Sequence, residues 1–419
     1  MPLDFSNHPC FNESIRHKYG RVHLPVAPKC NIQCYYCNRK YDCVSESRPG
    51  VTSTVLSPGQ AIAYLQHVVD RDPQIRVVGI AGPGDPFANA DETMETLRRV
   101  RALYPDMLLC VATNGLEIAP HIEELAELSV SHVTITMNTV DPVIASNIYG
   151  WVRTGKRVVR GIEAARLLCD RQQVAIARLK ECGVVVKVNC ILIPGTNLEH
   201  AEVVAKRARE LGADILNCIP LYPVEGSEFE RYAPPSASEV TSIRIKAAQH
   251  MPQMHHCTRC RADAVGLLDQ GIDGEYTQLL RACATLPMEP TESRPHVAVG
   301  SLEGVLVNQH LGEANALWIF RREGERFVCV DSRETPPPGQ GAARWETLAR
   351  TLHDCSALLV SGAGSSPQEA LTGHGIRVIV TEGIIESLLE DMWQGKPLPA
   401  PRIAHACGVG CSGTGTGCG

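Results

Sequence analysis

The sequence predicts an α/β fold in which a parallel sheet forms the larger part of the chain. Short apolar runs alternate six times with stretches of helical periodicity from about residue 21 to residue 250. Strand–helix repeats of this kind form parallel sheets with right-handed crossovers, and the pattern fits either a barrel or an open doubly wound sheet. A proline-rich stretch then precedes a shorter α/β pattern, so the 419 residues are expected to form two domains.

The individual elements of the first domain follow from the same patterns. Its strands are expected at residues 21–28, 76–81, 107–112, 132–136, 184–192 and 214–219. Its helices are expected at residues 58–70, 91–103, 119–128, 158–182, 198–211 and 237–250. Ser57 followed by Pro58 indicates a helix start, because both residue types suit a first turn. Gly183 and Gly212 indicate helix ends.

The domain boundaries are predicted from composition. Residues 1–286 form the first domain, three prolines within residues 287–295 mark a linker, and residues 296–396 form the second domain. The second domain is expected to have strands at 297–300, 316–321, 326–330, 357–360 and 377–380, and helices at 343–353, 367–372 and 384–393. Residues 397–419 are rich in glycine and cysteine, a composition that cannot bury a core and predicts a flexible tail.

Composition and charge exclude several classes of protein. Hydrophobic residues make up 44% of the chain and charged residues 21%, as in ordinary globular proteins. No apolar run approaches the ~20 residues that span a bilayer, and the N-terminus lacks the pattern of a signal peptide. We therefore expect a cytoplasmic protein that has no membrane partner. The net charge of −6 gives no reason to expect a nucleic-acid partner.

The 18 cysteines are the unusual feature of the composition. Because the cytoplasm keeps thiols reduced, closely spaced cysteines predict metal or iron–sulfur ligands rather than disulfides. Isolated cysteines are more often small buried hydrophobic residues.

Cys30, Cys34 and Cys37 form the strongest motif, with three and then two residues between the cysteines, directly after the first predicted strand. Three thiolates can hold three irons of a [4Fe–4S] cluster and leave the fourth iron open for a reaction partner. The alternative is a structural zinc site that lacks one ligand. It is disfavoured, because structural zinc sites are normally closed by four protein ligands.

This motif resembles the signature of the radical S-adenosylmethionine (SAM) superfamily. The resemblance implies a partial (β/α)6 barrel, a [4Fe–4S] cluster whose open iron binds SAM, and cleavage of SAM to a 5′-deoxyadenosyl radical. The segment at 82–86 is similar to the family's SAM-binding loop, which implies that Gly82, Gly84 and Asp85 contact SAM. The resemblance further implies cofactor contacts by the residues Tyr36, Thr136, Asn138 and Ile191.

A second set of metal-ligand residue types lies outside the triad: His8, Cys10, Cys43, Cys110, Cys257 and Cys260. Taken singly, each has an ordinary interpretation: a surface histidine, a core cysteine, a zinc half-site or a redox pair. Together, and with Glu46 and Arg48, they resemble the radical SAM proteins that build the iron–sulfur core of the nitrogenase cofactor.

That closer resemblance implies two further [4Fe–4S] clusters, which are substrates and are fused into one eight-iron cluster with a central carbide. The carbon comes from the methyl group of SAM. The ligands implied for these clusters are Cys257, Cys260, Cys10, His8 and Cys43. The resemblance implies that Cys110, Glu46 and Arg48 take part in the reaction, although a structural salt bridge is an equal alternative for Glu46 and Arg48.

The second domain resembles the small cofactor carriers of nitrogenase assembly, which have a ribonuclease-H-like α/β fold. The matching stretch is residues 307–314, and His310 is its candidate cluster ligand, with an exposed loop histidine as the alternative. The resemblance implies three kinds of partner: an iron–sulfur cluster donor scaffold, cofactor carrier and assembly proteins, and a reductant protein such as ferredoxin. Two other functions stay open, namely an iron–sulfur scaffold or carrier without catalysis and a radical SAM maturase that modifies a peptide.

Overall fold

The structure is a computed structural model that describes residues 8–9, 11–45, 50–52, 54–257, 260–268, 274–286, 294–324, 326–339, 341–394, 396 and 398–401. The chain forms two units, Met1–Arg281 and Ala282–Gly419. This boundary lies five residues before the predicted one at residue 286. The main-chain carbonyls of Ala284, Thr285 and Leu286 accept hydrogen bonds from Arg377, which places them with the second unit.

The first unit alternates strands and helices. Its strands are β1 (Gly20–His23), β2 (Ile32–Cys34), β3 (Ile75–Ile80), β4 (Leu108–Thr113), β5 (Val130–Thr136), β6 (Tyr149–Thr154), β7 (Arg157–Arg160), β8 (Val185–Leu192), β9 (Ile215–Pro220) and β10 (Val265–Gly266). Its helices are α1 (Pro58–Arg71), α2 (Ala90–Leu103), α3 (Ile122–Glu127), α4 (Pro142–Ser146), α5 (Gly161–Glu181), α6 (Ala201–Glu210) and α7 (Ala237–Ala248), while α8 (Gly274–Cys283) crosses the unit boundary.

The main sheet of this unit has the order β10-β1-β3-β4-β5-β8-β9. Its six parallel strands are the six that the sequence predicted, and they lie side by side in chain order. A doubly wound sheet reverses its strand order at a switch point, and this sheet has no such reversal. The sheet is therefore not doubly wound; with helices between successive strands, it fits the half-barrel that the sequence resemblance implies.

Local sequence signals explain where the helices begin and end. Ser57 caps α1: its Oγ accepts from the main-chain N–H of Gln60, and the Gln60 side chain accepts from the N–H of Ser57. Gly183 and Gly212 follow α5 and α6 with φ of +75° and +88°, a conformation that favours glycine. The predicted helix start and both helix ends are confirmed.

A β-hairpin is the main feature that sequence reasoning missed. The helix predicted at 158–182 begins only at Gly161, because residues Arg157–Arg160 form β7 and pair with β6. Strand β6 also pairs with β2, with Cys34 opposite Tyr149. The hairpin therefore anchors the segment that carries the cysteine triad.

The second unit is a smaller α/β domain. Its strands are β11 (His296–Val299), β12 (Leu306–Val307), β13 (Ala316–Glu323), β14 (Arg326–Glu334), β15 (Cys355–Val360), β16 (Arg377–Val380) and β17 (Gly383–Ile384), and its helices are α9 (Ala342–Thr351), α10 (Ser365–Gly373) and α11 (Ile385–Trp393). The main sheet has the order β14-β13-β11-β15-β16. One apolar cluster joins this sheet to α9 and α10, and a second joins it to α11. Alternate residues of the central strands thus support helices on both faces.

In the described part of the chain, none of the helices has the length and apolar character that crossing a membrane requires.

Candidate active site

A cavity of about 460 Å³ lies at the carboxyl end of the half-barrel and is lined by Cys30, Cys34 and Cys37. The other lining residues follow or end neighbouring elements of the unit: Ile32, Tyr36, Arg39, Cys43, Ser45, Gly84, Asp85, Asn114, Thr136 and Tyr149. Parallel α/β sheets collect their functional loops at this edge. We call this space the triad cavity.

Main-chain hydrogen bonds fix the cysteine segment. The amide N–H of Cys37 donates to the carbonyl of Cys34 at 3.1 Å. The side chain of Gln33 donates from its Nε2 atom to the carbonyls of Cys34 and Cys37, at 3.0 and 2.9 Å. The short loop therefore keeps a defined shape, with its sulfurs directed into the triad cavity.

Burial makes these thiols poor acids on their own. It raises the pKa of Cys30 to about 12 and that of Cys34 well above the ordinary value, while neighbouring thiol charges act in the same direction at Cys34. Burial also raises the pKa of Cys37, although the charge of Arg39 opposes this. Thiolates at such positions need positive charge beside them, and iron ions supply it.

The arrangement suits a cluster better than a single metal ion. Nowhere in the described residues do three histidine, cysteine or acidic side chains converge as ligands of one ion. A [4Fe–4S] cluster does not require such convergence, because each thiolate binds a different iron. Three cysteines that line one cavity, two of them buried, therefore fit a cluster held by three thiolates.

Gly84 brings the main chain of the 82–86 loop against the segment before Cys30. A Cβ atom at Gly84 would lie 2.1 Å from the carbonyl oxygen of Lys29, a distance that no side chain tolerates. The N–H of Gly84 donates to the carbonyl of Ala27 at 2.6 Å. Only glycine permits this close approach between the two main-chain segments.

Asp85 braces the 82–86 loop through its hydrogen bonds. Its carboxylate accepts hydrogen bonds from the main-chain N–H groups of Asn114 and Phe87, at 2.7 and 2.9 Å, and from the hydroxyl of Thr113. Burial raises the pKa of Asp85, while these donors oppose the rise. The carboxylate therefore joins the loops that follow β3 and β4 at the cavity wall.

Tyr36 and Asn138 form a second brace. The Tyr36 hydroxyl lies 2.9 Å from the Oγ of Ser45 and accepts a hydrogen bond of 2.8 Å from Asn138 Nδ2. Asn138 Oδ1 in turn accepts from the N–H of Ile191 at 2.8 Å. Four residues outside the 82–86 loop were predicted to contact the cofactor. Tyr36 and Thr136 line the triad cavity, whereas Asn138 and Ile191 are not among its lining residues.

A second cavity, of about 760 Å³, fills the interior of the half-barrel. We call it the barrel cavity. It takes inward-facing residues from successive parallel strands: Arg21 and His23 of β1, Val77 and Gly79 of β3, Cys110 and Ala112 of β4, Thr134 of β5, Lys187 and Asn189 of β8, and Asn217 and Ile219 of β9. Ser45 lines both cavities, so the two spaces adjoin.

The barrel cavity brings together four of the residues predicted as cluster ligands or reaction residues. They are widely separated in the chain: His8, Cys110, Cys257 and Cys260. Cys43 lines the triad cavity instead, and its N–H donates to the carbonyl of Pro83 at 2.9 Å. Cys10, Glu46 and Arg48 lie outside the described residues.

His23 is a candidate ligand that sequence reasoning missed. Its Nδ1 lies 2.8 Å from the carbonyl of Arg261, and a carbonyl only accepts, so Nδ1 carries the proton. Burial and the charge of Arg21 lower the pKa of His23 to about 4. The ring is therefore neutral, with its Nε2 lone pair available to a metal, an arrangement common among metal-binding histidines. Arg21 and His23 alternate along β1 and so face the same side of the sheet, which was the sequence signal that could have identified His23.

His310, the candidate in the second unit, lies in a tight contact between loops. Its ring packs on Gly362, where a Cβ atom would be 2.4 Å from the imidazole Cδ2. Its Nδ1 accepts a hydrogen bond of 3.1 Å from the N–H of Gly312. In the neutral ring the proton therefore sits on Nε2, so the Nε2–H group is a hydrogen-bond donor.

Comparison with known proteins defines the class of each unit. A family model described as Radical SAM superfamily matches residues 24–208. A second, described as Dinitrogenase iron-molybdenum cofactor, matches residues 294–395. The protein thus combines a radical SAM domain with a domain of the dinitrogenase cofactor type.

Full-length relatives narrow this class. The chain is 53% identical to the FeMo cofactor biosynthesis protein NifB of Chlorobaculum tepidum over 423 residues, which cover 100% of both chains. It is 38% identical to the protein of that name from Klebsiella pneumoniae, over 92% of this chain and 90% of the relative. Methylornithine synthase (PylB), a solved structure, matches 64% of this chain and 82% of its own with a TM-score of 0.40 and 12% identity. The chain belongs to the NifB family of FeMo cofactor biosynthesis proteins, which confirms the resemblance seen in the sequence.

Proposed function

We propose that this protein is a radical SAM enzyme that fuses two [4Fe–4S] clusters into an eight-iron, carbide-containing precursor of the nitrogenase cofactor. SAM would supply both the carbon and the radical. The observation that carries the proposal is the pair of adjoining cavities: one contains the cysteine triad, and the other contains a separate set of cysteine and histidine side chains. An enzyme that cleaves SAM beside a cluster substrate needs both spaces.

In the triad cavity, Cys30, Cys34 and Cys37 would hold the resident [4Fe–4S] cluster, which supplies the electron for SAM cleavage. Gly84 lines the same cavity, and because it has no side chain its loop can lie against the main chain before Cys30, where the loop would contact SAM. Thr136 lines the same space and would contact the nucleoside of SAM. Asp85 and the Tyr36–Asn138 pair keep these walls in place through their hydrogen bonds.

In the barrel cavity, Cys257, Cys260 and His8 would hold the substrate clusters, and Cys110 would take part in the reaction beside them. Cys10 and Cys43 complete the predicted ligand set, and Glu46 and Arg48 are proposed to act on charge or protons beside the clusters. Mixed histidine and cysteine ligation, with few ligands for each cluster, suits a product that must leave.

The partners follow from this reaction. Two clusters must be delivered by an iron–sulfur scaffold, the electron must come from a reductant protein such as ferredoxin, and the product must pass to carrier and assembly proteins. The match of residues 294–395 to the dinitrogenase cofactor model supports a role for the second unit in that transfer. His310 is the residue proposed to act there.

One anaerobic experiment tests the function. The reconstituted protein is incubated with SAM and dithionite, and S-adenosylhomocysteine and 5′-deoxyadenosine are both measured. We expect both products, because one SAM gives up its methyl group and another gives the radical. A scaffold without catalysis would yield neither, and a peptide maturase would yield 5′-deoxyadenosine alone.

A triad variant provides the control for that assay. Cys34→Ala removes one ligand of the resident cluster and should abolish 5′-deoxyadenosine formation. If Cys34→Ala forms as much 5′-deoxyadenosine as the wild type, the assignment of the triad is refuted.

A further inference from the structure

Asn114 follows β4 in the wall of the triad cavity, and three hydrogen bonds fix its position. Its main-chain N–H donates to Asp85 at 2.7 Å, and its carbonyl accepts from the side chain of Gln172 at 2.9 Å. Its side-chain oxygen, Oδ1, accepts from the main-chain N–H of Leu116 at 2.8 Å. Because that N–H can bond only to an oxygen, it settles which side-chain atom is Oδ1 and which is Nδ2.

The Nδ2 atom of Asn114 carries two N–H groups with different surroundings. It donates to the side-chain oxygen of Asn31 at 2.7 Å. It also lies 4.0 Å from the Sγ of Cys30, the outer limit for a hydrogen bond to sulfur. In the described part of the chain these are its two acceptors, so the sulfur of Cys30 is the one available to the second N–H. A thiolate accepts hydrogen bonds more strongly than a neutral thiol does.

Asn31, the residue after Cys30, has a buried amide nitrogen that lacks a hydrogen-bond partner among the described residues. The residue is 6% exposed, and its side-chain oxygen is already used by Asn114. Its main-chain carbonyl accepts from the N–H of Arg153 on β6 at 2.7 Å, which fixes the backbone at this point. Buried donors without an acceptor are rare in folded proteins, so this one indicates an acceptor other than the protein.

The resident cluster supplies acceptors at this place under the proposed function. Its cysteine sulfurs and inorganic sulfides surround the irons, including the iron that Cys30 would bind. These sulfurs accept hydrogen bonds, which are one of the factors that set the reduction potential of a cluster. A bound water would also satisfy the N–H of Asn31, but the potential would then not depend on this residue.

We propose that Asn114 and Asn31 form a pair of amide donors to the Cys30 side of the resident cluster. Asn114 is a positioning residue that donates to the sulfur of Cys30, and Asn31 donates to a sulfur of the cluster. The proposal rests on the proposed function, because it requires a cluster in the triad cavity, and it adds residues that retain and tune that cluster. Hydrogen bonds to sulfur stabilise the more negative, reduced state, so the pair raises the reduction potential.

The test uses the full-length chain, reconstituted anaerobically with iron and sulfide, in four forms. These are the wild type, Asn114→Leu, Asn31→Leu and the control Asn197→Leu. Leucine has nearly the shape of asparagine and removes the amide without adding a charge. Asn197 is also buried, but its carboxamide bonds to three main-chain groups at the carboxyl ends of β5 and β8, and it is not among the residues that line the triad cavity.

Three measurements are made on each form. The midpoint potential comes from a redox titration without SAM, followed by electron paramagnetic resonance. The signal that is followed is the one that added SAM alters in a separate sample, which distinguishes the resident cluster from any other. The rate at which a chelator removes this cluster is followed by the same signal. Urea denaturation of the cluster-free chain reports the structural role of each amide.

We expect Asn114→Leu and Asn31→Leu to have a more negative midpoint potential than the wild type. Both should lose the resident cluster about 10- to 100-fold faster, the usual effect of removing a residue that orients a metal ligand. Asn197→Leu should keep the wild-type potential and rate. In the cluster-free chain the order reverses: Asn197→Leu loses three side-chain hydrogen bonds and Asn31→Leu loses one, so Asn197→Leu should have the lower urea midpoint.

The outcomes separate the inference from the function on which it rests. If the wild type shows no cluster that responds to SAM, the proposed function fails and the inference fails with it. If the wild type shows this cluster and either Asn114→Leu or Asn31→Leu keeps its potential, the inference alone is overturned. An equal shift in Asn197→Leu also overturns it, because any buried amide would then have the same effect. Should Asn114→Leu not fold, Asn31→Leu decides in the same way.

Discussion

Replacing Gly84 with alanine tests whether the loop after β3 must touch the main chain before Cys30. The new Cβ would lie 2.1 Å from the carbonyl oxygen of Lys29 and 2.8 Å from that of Pro28. Both neighbours are main-chain atoms, so neither can swing aside as a flexible side chain could. The segment that leads into Cys30 must shift instead.

The size of the effect follows from this distance. Restoring ordinary contact requires a displacement of about 1 Å, and a misplacement of about 1 Å at a reacting centre costs about 100-fold in rate. Overpacking of a closed contact also destabilises the fold by about 1–3 kcal/mol. The φ angle of Gly84 lies outside the left-handed range, so the cost comes from the contact rather than from the conformation of the residue.

The assay compares Gly84→Ala with Gly274→Ala, whose Cβ would meet no atom within 4 Å. SAM binding to the anaerobic, reconstituted protein is measured by equilibrium dialysis, and 5′-deoxyadenosine formation by chromatography. We expect Gly84→Ala to lose SAM affinity and most of its rate, while Gly274→Ala keeps both. Wild-type SAM affinity and rate in a folded Gly84→Ala protein would refute the close-contact argument.

Three other predictions test the braces and the two cavities. Tyr36→Phe leaves the buried Nδ2 of Asn138 without its acceptor and should lower the free energy of unfolding by about 1–3 kcal/mol, measured by urea denaturation; an unchanged midpoint would contradict the brace. Under the proposed function, Cys110→Ala should still form 5′-deoxyadenosine but less S-adenosylhomocysteine, because it changes the barrel cavity and spares the triad; equal loss of both products would argue against separate roles. Hydrogen bonds from Arg333 hold the pKa of Asp354 below its usual range, so their stabilisation is complete above about pH 4 and is lost as the pH falls further. In the metal-free chain, Asp354→Asn should therefore make the urea midpoint depend less on acid pH. If that dependence is unaltered, the Arg333–Asp354 pair is not its source.

The sequence was sufficient to predict the parallel strands of the first unit, because each has a local apolar pattern. It could not distinguish a barrel from a doubly wound sheet, since that choice depends on the order in which distant strands pair. It also failed at the β6–β7 hairpin. Val158 and Val159 fit the start of a helix and a short strand equally well, and pairing with β6 decides the outcome.

The two cavities also differ in how far their residues could be predicted from the sequence. The triad lies within eight residues, so its chemistry could be predicted from spacing alone. The barrel cavity is assembled from inward-facing positions of strands far apart in the chain, and none of these positions forms a motif. His8 and Cys260 were predicted only through resemblance to a family, while the inward-facing Arg21 and Lys187 were not singled out, because a single basic residue on a strand carries no local sequence signal.

Ser45 shows how the fold connects the two spaces. Its Oγ lies 2.9 Å from the Tyr36 hydroxyl at the triad cavity, and its carbonyl accepts a 3.0 Å hydrogen bond from Asn189 Nδ2, which lines the barrel cavity. The wall between the cavities is therefore a single residue thick at this point, and it is held from both sides. Under the proposed function, a radical formed beside the triad would need only to pass this wall to reach carbon on a cluster in the barrel. Under the same proposal, a barrier this thin favours substrate ligands inside the barrel over a separate surface site, since a short path leaves a reactive species little opportunity to meet solvent.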